Sequence, residues 1–160
     1  MDGSRGGAGI AEEAQRPLDE ITGAIVDSAL KIHREIGPGL LVSVYEIILA
    51  RDLARRGFRV ERQVPVTFEF DGLRFDNALR IDLFVDRRVI VEIKSIDRLA
   101  PVHSKQVLTY LRLMKLPVGL LVNFDGETLR EGLARIVNKL DTSAASRLRV
   151  NQRLSNSAPR

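Results

Sequence analysis

The chain has 160 residues, 44% of them apolar and 29% charged with a net charge of +4, a composition typical of one globular domain. It contains no cysteine, which excludes disulfides, a thiol nucleophile and cysteine-ligated zinc and predicts a reducing, cytoplasmic setting. With only His33 and His103, a histidine-rich metal site is excluded as well, so carboxylates and a hard cation such as Mg²⁺ or Mn²⁺ remain for any metal chemistry.

The two ends of the chain lack the apolar periodicity of folded elements. Residues 1–17 and 141–160 are rich in small and polar residues, and we expect both to be disordered tails, the second one basic. No apolar run reaches the length of a membrane span, so the sequence predicts neither a signal peptide nor a transmembrane helix. Residues 18–140 are then predicted to form a single domain.

Two helices are predicted at the start of this domain. Apolar residues recur at helical spacing from Leu18 to about Glu35, and "GPG" at 37–39 ends the helix because Pro38 cannot continue it. A second helix is predicted from about Leu40 to Arg56, where Gly57 ends it.

Closely spaced strands follow the helices. Period-two alternation predicts a strand over 59–70, and "DG" at 71–72 predicts a hairpin turn. "LRIDLFV" at 79–85, the polar turn "DRR" at 86–88 and "VIVEIKS" at 89–95 predict a second hairpin.

The helical period then returns. It predicts a helix from about Val102 to Lys115, a short buried strand at 118–124 and a last helix from about Glu127 to Leu140. The expected fold class is therefore α/β, a mixed central sheet with helices on both faces.

Charged residues interrupt the second predicted hairpin. Glu92 and Lys94 share one face of an otherwise apolar strand, and a three-residue loop at 86–88 would put Asp82 opposite Glu92. A two-residue loop would instead put Asp82 opposite Val91. Two facing carboxylates repel each other unless a positive group lies between them, and a divalent cation fits this requirement. The alternative, a solvated polar face, is disfavoured because both strands are apolar on both faces.

These residues resemble a known catalytic core. Asp82 followed by Glu92-Ile93-Lys94 resembles the D…(D/E)xK core of the PD-(D/E)xK nuclease superfamily. "QVLTY" in the next helix resembles the QxxxY element of the RecB-like and lambda-exonuclease-like branches of that superfamily.

Longer stretches extend the resemblance to about residues 18–138. "IHREIGPGLLVSVYE", "ERQVPV", "IVEIKSIDRLAPVHSKQVLTYLRL" and "GLLVNF" are similar to the small bacterial proteins of the GxxExxY family within this superfamily. The implied fold is the restriction-endonuclease-like core.

The resemblance also implies an activity, the metal-dependent hydrolysis of phosphodiester bonds in nucleic acid, with DNA as the expected partner. It implies that Asp82, Glu92 and the backbone carbonyl of Ile93 bind Mg²⁺ or Mn²⁺. Lys94 would orient or help deprotonate the attacking water and stabilise negative charge on the phosphorane.

Three polar residues of the third predicted helix belong to the same hypothesis. Gln106 and Tyr110, one turn apart, would brace the site or contact the nucleic acid strand. His103 shares their helix face and is a supporting candidate for phosphate contact, although a histidine at a helix start is commonly structural. His33, near the end of the first helix, receives no catalytic role because interaction with the helix dipole explains it.

One position departs from the family pattern. The pattern runs from Gly39 to Tyr45, and its acid falls at Val42. Glu46, one turn later on the same helix, is a supporting candidate to replace that acid.

Three alternatives stay open. The first is a catalytically weakened or inactive nuclease-fold module that binds nucleic acid or a protein partner, for which Val42 is the main argument. The second, a small-molecule enzyme of another fold, is disfavoured because the sequence has no phosphate-binding glycine loop, no G-x-S-x-G motif and no dinucleotide fingerprint. The third is a homodimer or other structural role through the apolar helices, which would leave the charged strand unexplained.

Overall fold

The computed structural model describes residues 15–139 and the backbone of 148–149. Three helices and six strands follow one another, with a short 3₁₀ turn at Arg130–Gly132. Their bounds are α1 Leu18–Ile36, α2 Val42–Arg55, β1 Val60–Phe70, β2 Leu73–Val85, β3 Val89–Lys94, α3 Pro101–Met114, β4 Val118–Asn123, β5 Leu133–Val137 and β6 Leu148–Arg149.

The strands form one mixed sheet in the order β5-β4-β3-β2-β1-β6. Strands β3 and β4 are parallel, with α3 as the crossover between them, and all other neighbours are antiparallel. The predicted α/β class is confirmed, and so are α1, α2, α3 and the first four strands, with every predicted end within two residues except the start of β2. Strand β2 is longer than predicted because it runs without interruption from the 71–72 turn.

Two apolar cores lie on opposite faces of the sheet. The first packs α1 and α2 against Leu83 of β2, Val91 of β3 and Leu120 of β4. The second packs α3 against Phe84 of β2, Ile90 of β3 and Leu121 of β4. This alternation along β3 and β4 is the period-two rule of a sheet buried on both sides.

The turn between α1 and α2 is fixed by Tyr45. Its hydroxyl donates to the Gly37 carbonyl at 2.6 Å and accepts from the Leu40 N–H at 3.2 Å. Its ring stacks on Phe124, with ring centroids 4.3 Å apart. Gly37 has a φ of +83°, which favours glycine. The turn is thereby attached to the chain just beyond β4, and α2 is set at the end of the sheet.

The predicted last helix at 127–140 is wrong. Residues 133–137 form strand β5, which pairs antiparallel with β4. Leu129, Leu133 and Ile136 have helical spacing, but the first two pack on the first core and Ile136 packs on the second. Gly132, just before β5, allows the chain to pass close to the end of β4, because a Cβ at this position would clash with the backbone oxygen of Asn123.

Parts of both predicted tails are described by the structure. Arg16 lies over the Phe58 ring, 4.4 Å from its centroid, and pairs with Asp86. The backbone of Leu148–Arg149 pairs with Glu69 and Phe70. The rest of both predicted tails lies outside the described residues.

No helix within the described part of the chain is long and apolar enough to cross a membrane.

Candidate active site

A row of three polar residues crosses strands β1, β2 and β3. The pairing of Val85 with Val89 leaves a loop of three residues, 86–88, as predicted. Continued along the strands, this register puts Asp82 across from Glu92, and the pairing of β1 with β2 puts Gln63 on the other side of Asp82. This carboxylate row consists of Gln63, Asp82 and Glu92, with Asp82 in the middle.

Strands β2 and β3 separate at this row. Their backbone pairing ends at Leu83 and Val91, and the N–H of Ile93 donates instead to Asp82 Oδ2 at 2.8 Å. Because the N–H and carbonyl of one residue point to the same edge of a strand, the Ile93 carbonyl also faces the β2 side. The Asp82 carboxylate and the Ile93 backbone therefore meet where the two strands part.

Glu92 and Lys94 form a buried pair next to this opening. Glu92 is 6% exposed, and its Oε1 lies 3.4 Å from Lys94 Nζ. Burial and the neighbouring Asp82 charge raise the pKa of Glu92 to about 7, against the effect of Lys94. Its second oxygen, Oε2, is buried without a hydrogen-bond partner among the described residues. Such an acceptor is costly unless a ligand satisfies it.

A chain of hydrogen bonds connects α2 with Asp82. Arg62 Nε donates to Glu46 Oε1 at 2.9 Å. The Gln63 amide donates to Glu46 Oε2 at 2.7 Å and to Asp82 Oδ1 at 3.3 Å. Burial raises the pKa of Asp82, and the Glu46 charge adds to this, while the hydrogen bond from Ile93 opposes it. Glu46, the predicted supporting residue, is thus connected to Asp82 through Gln63, whereas Val42 packs against the first core.

Gln63 adopts a left-handed backbone conformation, with a φ of +51°. For a residue with a side chain this conformation costs about 1–2 kcal/mol. Ile81 and Leu83, on either side of the partner position Asp82, belong to opposite cores, although residues two apart on a strand normally share a face. The sheet therefore exchanges its faces at the Gln63–Asp82 position, which brings Glu46 and Asp82 within reach of one amide.

The remaining candidates lie on α3. Gln106 Nε2 donates to the Tyr110 hydroxyl at 2.6 Å, and burial raises the pKa of Tyr110, with smaller contributions from the Glu92 and Asp82 charges. The charges of both carboxylates therefore act on the Tyr110 hydroxyl. His103 Nδ1 accepts from the Ala100 N–H at 2.9 Å and so caps the start of α3.

Two other polar contacts are structural. His33 Nε2 lies 2.8 Å from the Gly126 carbonyl, and it fastens the end of α1 to the loop after β4. Buried Asn123 binds both the N–H and the carbonyl of Ile96, and thereby fixes the backbone that follows Lys94.

The sequence hypothesis assigned no role to Arg62, Gln63 or Asn123. Arg62 and Gln63 lie in the quoted "ERQVPV" stretch, where an arginine takes a position that the apolar alternation would give to an aliphatic residue. That interruption is the one sequence signal for them.

The donor set suits a hard divalent cation. Within residues 15–139, no three His, Cys, Asp or Glu side chains are gathered as a metal site, so Asp82 and Glu92 would need a backbone oxygen as a third protein ligand. The unsatisfied Glu92 Oε2 and the Ile93 carbonyl at the same opening meet that need with oxygen donors. The residues present therefore fit Mg²⁺ or Mn²⁺.

Comparison with known proteins gives one match. A protein-family model, described as the PD-(D/E)XK nuclease superfamily, matches residues 19–136. This range contains all but the first residue of α1 and the last residue of β5, every element between them and all residues of the carboxylate row. No curated protein and no solved structure matches the chain significantly.

Proposed function

The chain belongs to the PD-(D/E)XK nuclease superfamily, and from this membership we propose that it is a metal-dependent nuclease that hydrolyses phosphodiester bonds in DNA. We further propose that it is a member of the GxxExxY branch, because "GPGLLVSVYE" carries the glycine and tyrosine of that pattern and Tyr45 ties its turn. The bacterial origin and cytoplasmic setting that this branch implies are part of the same proposal.

The observation that carries the proposal is the open oxygen of Glu92. Oε2 of Glu61 is likewise buried without a partner among the described residues, but Glu61 is neutralised by its ion pair with Arg87. Glu92 keeps Oε2 without a partner among the described residues, beside Lys94 and across from Asp82. This arrangement suits a bound cation, and the positive charge of that cation together with Lys94 would then attract an anionic substrate.

Each residue has a distinct task in the proposed reaction. Asp82, Glu92 and the Ile93 carbonyl would hold the cation. When bound, such a cation supplies Lewis-acid stabilisation of the charge that develops on the phosphate. Lys94 lies beside Glu92, so its ammonium can contact an attacking water or a non-bridging phosphate oxygen.

The supporting residues act through these groups. Gln106 and Tyr110 form one hydrogen-bonded unit on α3, and we propose that the unit borders the path of the nucleic acid strand. Glu46 would hold its neighbours in place from α2. His103 is left with its capping role at the start of α3.

The test is release of labelled fragments from single- and double-stranded DNA and RNA, with Mg²⁺, with Mn²⁺ and with chelator. We expect cleavage of DNA that needs the cation and that falls roughly 10²- to 10⁴-fold in Lys94→Ala, the range for loss of a proton-transfer or charge-stabilising group. Lys31→Ala, which removes an exposed α1 lysine paired with Asp52, is the matched control.

The second candidate, a module that binds without cutting, rests on Val42 in place of the family acid. It would gain support if the natural protein bound Mn²⁺ and DNA but cut no substrate, and if only Val42→Glu restored cleavage. Equal cutting by Lys94→Ala and the natural protein would contradict the proposed mechanism.

A further inference from the structure

The Gln63 side chain is the only described group that donates to two carboxylates of the candidate site. Its amide nitrogen lies 2.7 Å from Glu46 Oε2 and 3.3 Å from Asp82 Oδ1, so one NH₂ group uses a hydrogen on each. The negative charges of Glu46 and Asp82 repel each other, and the hydrogen bonds from the shared Gln63 amide offset that repulsion. Gln63 therefore links α2 to the central residue of the carboxylate row.

The link is fixed at both ends. Arg62 Nε holds the other oxygen of Glu46, and the Ile93 N–H holds the other oxygen of Asp82. Every carboxylate oxygen in this chain of contacts has a donor, in contrast to Glu92. The direction of the Asp82 carboxylate is thus set by Gln63 on one side and Ile93 on the other.

The backbone of Gln63 has a left-handed conformation at the position where the sheet exchanges its faces. A left-handed residue inside a strand normally is glycine or asparagine. Glycine at position 63 would remove the strain and keep the strand pairing, but it would lose the amide. Backbone strain of this kind is commonly found at functional sites.

We propose that Gln63 is a positioning residue for the metal-binding carboxylates, which it serves by fixing Asp82 through a hydrogen bond anchored on Glu46. This inference rests on the proposed function, since it assumes that Asp82 binds the cation. Partners that orient a metal ligand typically change metal affinity by about 10- to 100-fold when they are lost. Gln63 would then contribute to cation affinity without touching the cation.

The experiment compares Mn²⁺ binding by calorimetry and thermal unfolding with chelator for the natural protein, Gln63→Gly and Gln63→Leu. Asn77→Gly is the matched control, because Asn77 is a second left-handed residue in the same sheet, in the exposed part of β2. We expect Asn77→Gly to melt at or above the natural temperature, whereas in Gln63→Gly the relief of backbone strain is offset by the loss of the hydrogen bonds to Glu46 and Asp82. We expect only the Gln63 variants to bind Mn²⁺ more weakly, by roughly 10- to 100-fold.

A second readout tests the path through Glu46. If Gln63 acts through its Glu46 anchor, the effects of Glu46→Ala and Gln63→Leu on Mn²⁺ affinity are less than additive in the double variant. Full additivity would overturn that path.

The outcomes separate this inference from the proposed function. Natural Mn²⁺ affinity, or a higher one, in Gln63→Gly would overturn the positioning role and leave the cation site standing. Absence of Mn²⁺ binding by the natural protein would overturn both. A lowered melting temperature in Gln63→Gly with unchanged affinity would assign Gln63 to fold stability alone.

Discussion

The candidate site has a buried carboxylate on each side, and the two differ in their hydrogen-bond partners. On the α2–β1 side, Glu46 is 2% exposed and both of its oxygens accept hydrogen bonds, from Arg62 and Gln63. On the β3 side, Glu92 is 6% exposed and one of its oxygens has no partner among the described residues. Depth of burial is thus nearly equal, and the supply of donors differs. Under the proposed function, Glu46 is the anchor of the site and Glu92 is a ligand of the cation.

Replacing the open carboxylate should have the largest effect on stability. The folded protein holds the Glu92 proton more tightly than the unfolded chain, where glutamate titrates near 4.5. The free energy of unfolding of the metal-free protein therefore falls as pH rises from about 4.5 to about 7. Glu92→Gln removes this loss and should be more stable than the natural protein at pH 8 by on the order of 3 kcal/mol.

Urea unfolding between pH 5 and pH 8, with chelator present, measures this difference. Glu127→Gln, at an exposed loop position, controls for the loss of one carboxylate. Equal pH slopes for Glu92→Gln and the natural protein would show that Glu92 does not resist ionisation, and the contrast with Glu46 would fail.

Replacing the anchor carboxylate should have an intermediate effect. Glu46→Gln loses the ion pair with Arg62 but keeps an oxygen that can accept from Gln63. We expect the free energy of unfolding to fall by about 1–3 kcal/mol, the contribution of a hydrogen bond to a charged group. Mn²⁺ affinity should fall roughly tenfold, because the anchor of Gln63 is weakened.

Glu61→Gln is the matched control for this anchor variant. Glu61 lies on β1, as Arg62 does, and pairs with Arg87. It should lose less stability than Glu46→Gln, because the Glu61 side chain is more exposed, and it should bind Mn²⁺ as the natural protein does. A loss of affinity in both variants would mean that general loosening of β1, and not the Glu46 anchor, weakens the site.

Restoring the family acid should have the smallest effect. Val42 is the first residue of α2 and packs against the first core, while Glu46 already brings a carboxylate from the same helix into the site. We expect Val42→Glu to change the cleavage rate by less than about threefold, the range of a substitution that adds no transition-state contact. Rates under saturating Mn²⁺ measure this, and a gain of a hundredfold would assign the missing acid an essential role.

The elements that the sequence predicted correctly are those whose pattern is local. The helical period of α1 and α3 and the alternation in β1 depend on burial of one face, and the apolar run of β3 depends on burial of both faces, which neighbouring residues record. The three-residue loop was likewise predicted from neighbouring residues, the polar stretch 86–88 between two apolar runs. It sets the register that puts Asp82 across from Glu92. That register led to a hypothesis for the carboxylate row.

The missed features depend on distant contacts. Strand β5 reads as a helix because Leu129, Leu133 and Ile136 have helical spacing, and only its pairing with β4 decides otherwise. The sequence predicts Gln63 to be an outward-facing strand residue. Apart from the arginine before it, nothing in the sequence indicates the left-handed conformation of its backbone. Its partners are 17 and 19 positions away.

The exchange of faces at Gln63 and Asp82 also bears on how the molecule folds. Glu46 belongs to the helix layer of one core, and Tyr110 to the helix of the other. A partly folded chain with only one helix layer docked would lack either the Glu46 anchor or the Gln106–Tyr110 pair. Under the proposed function, cleavage would therefore require both helix layers to be in place, and local opening of either layer would inactivate the site.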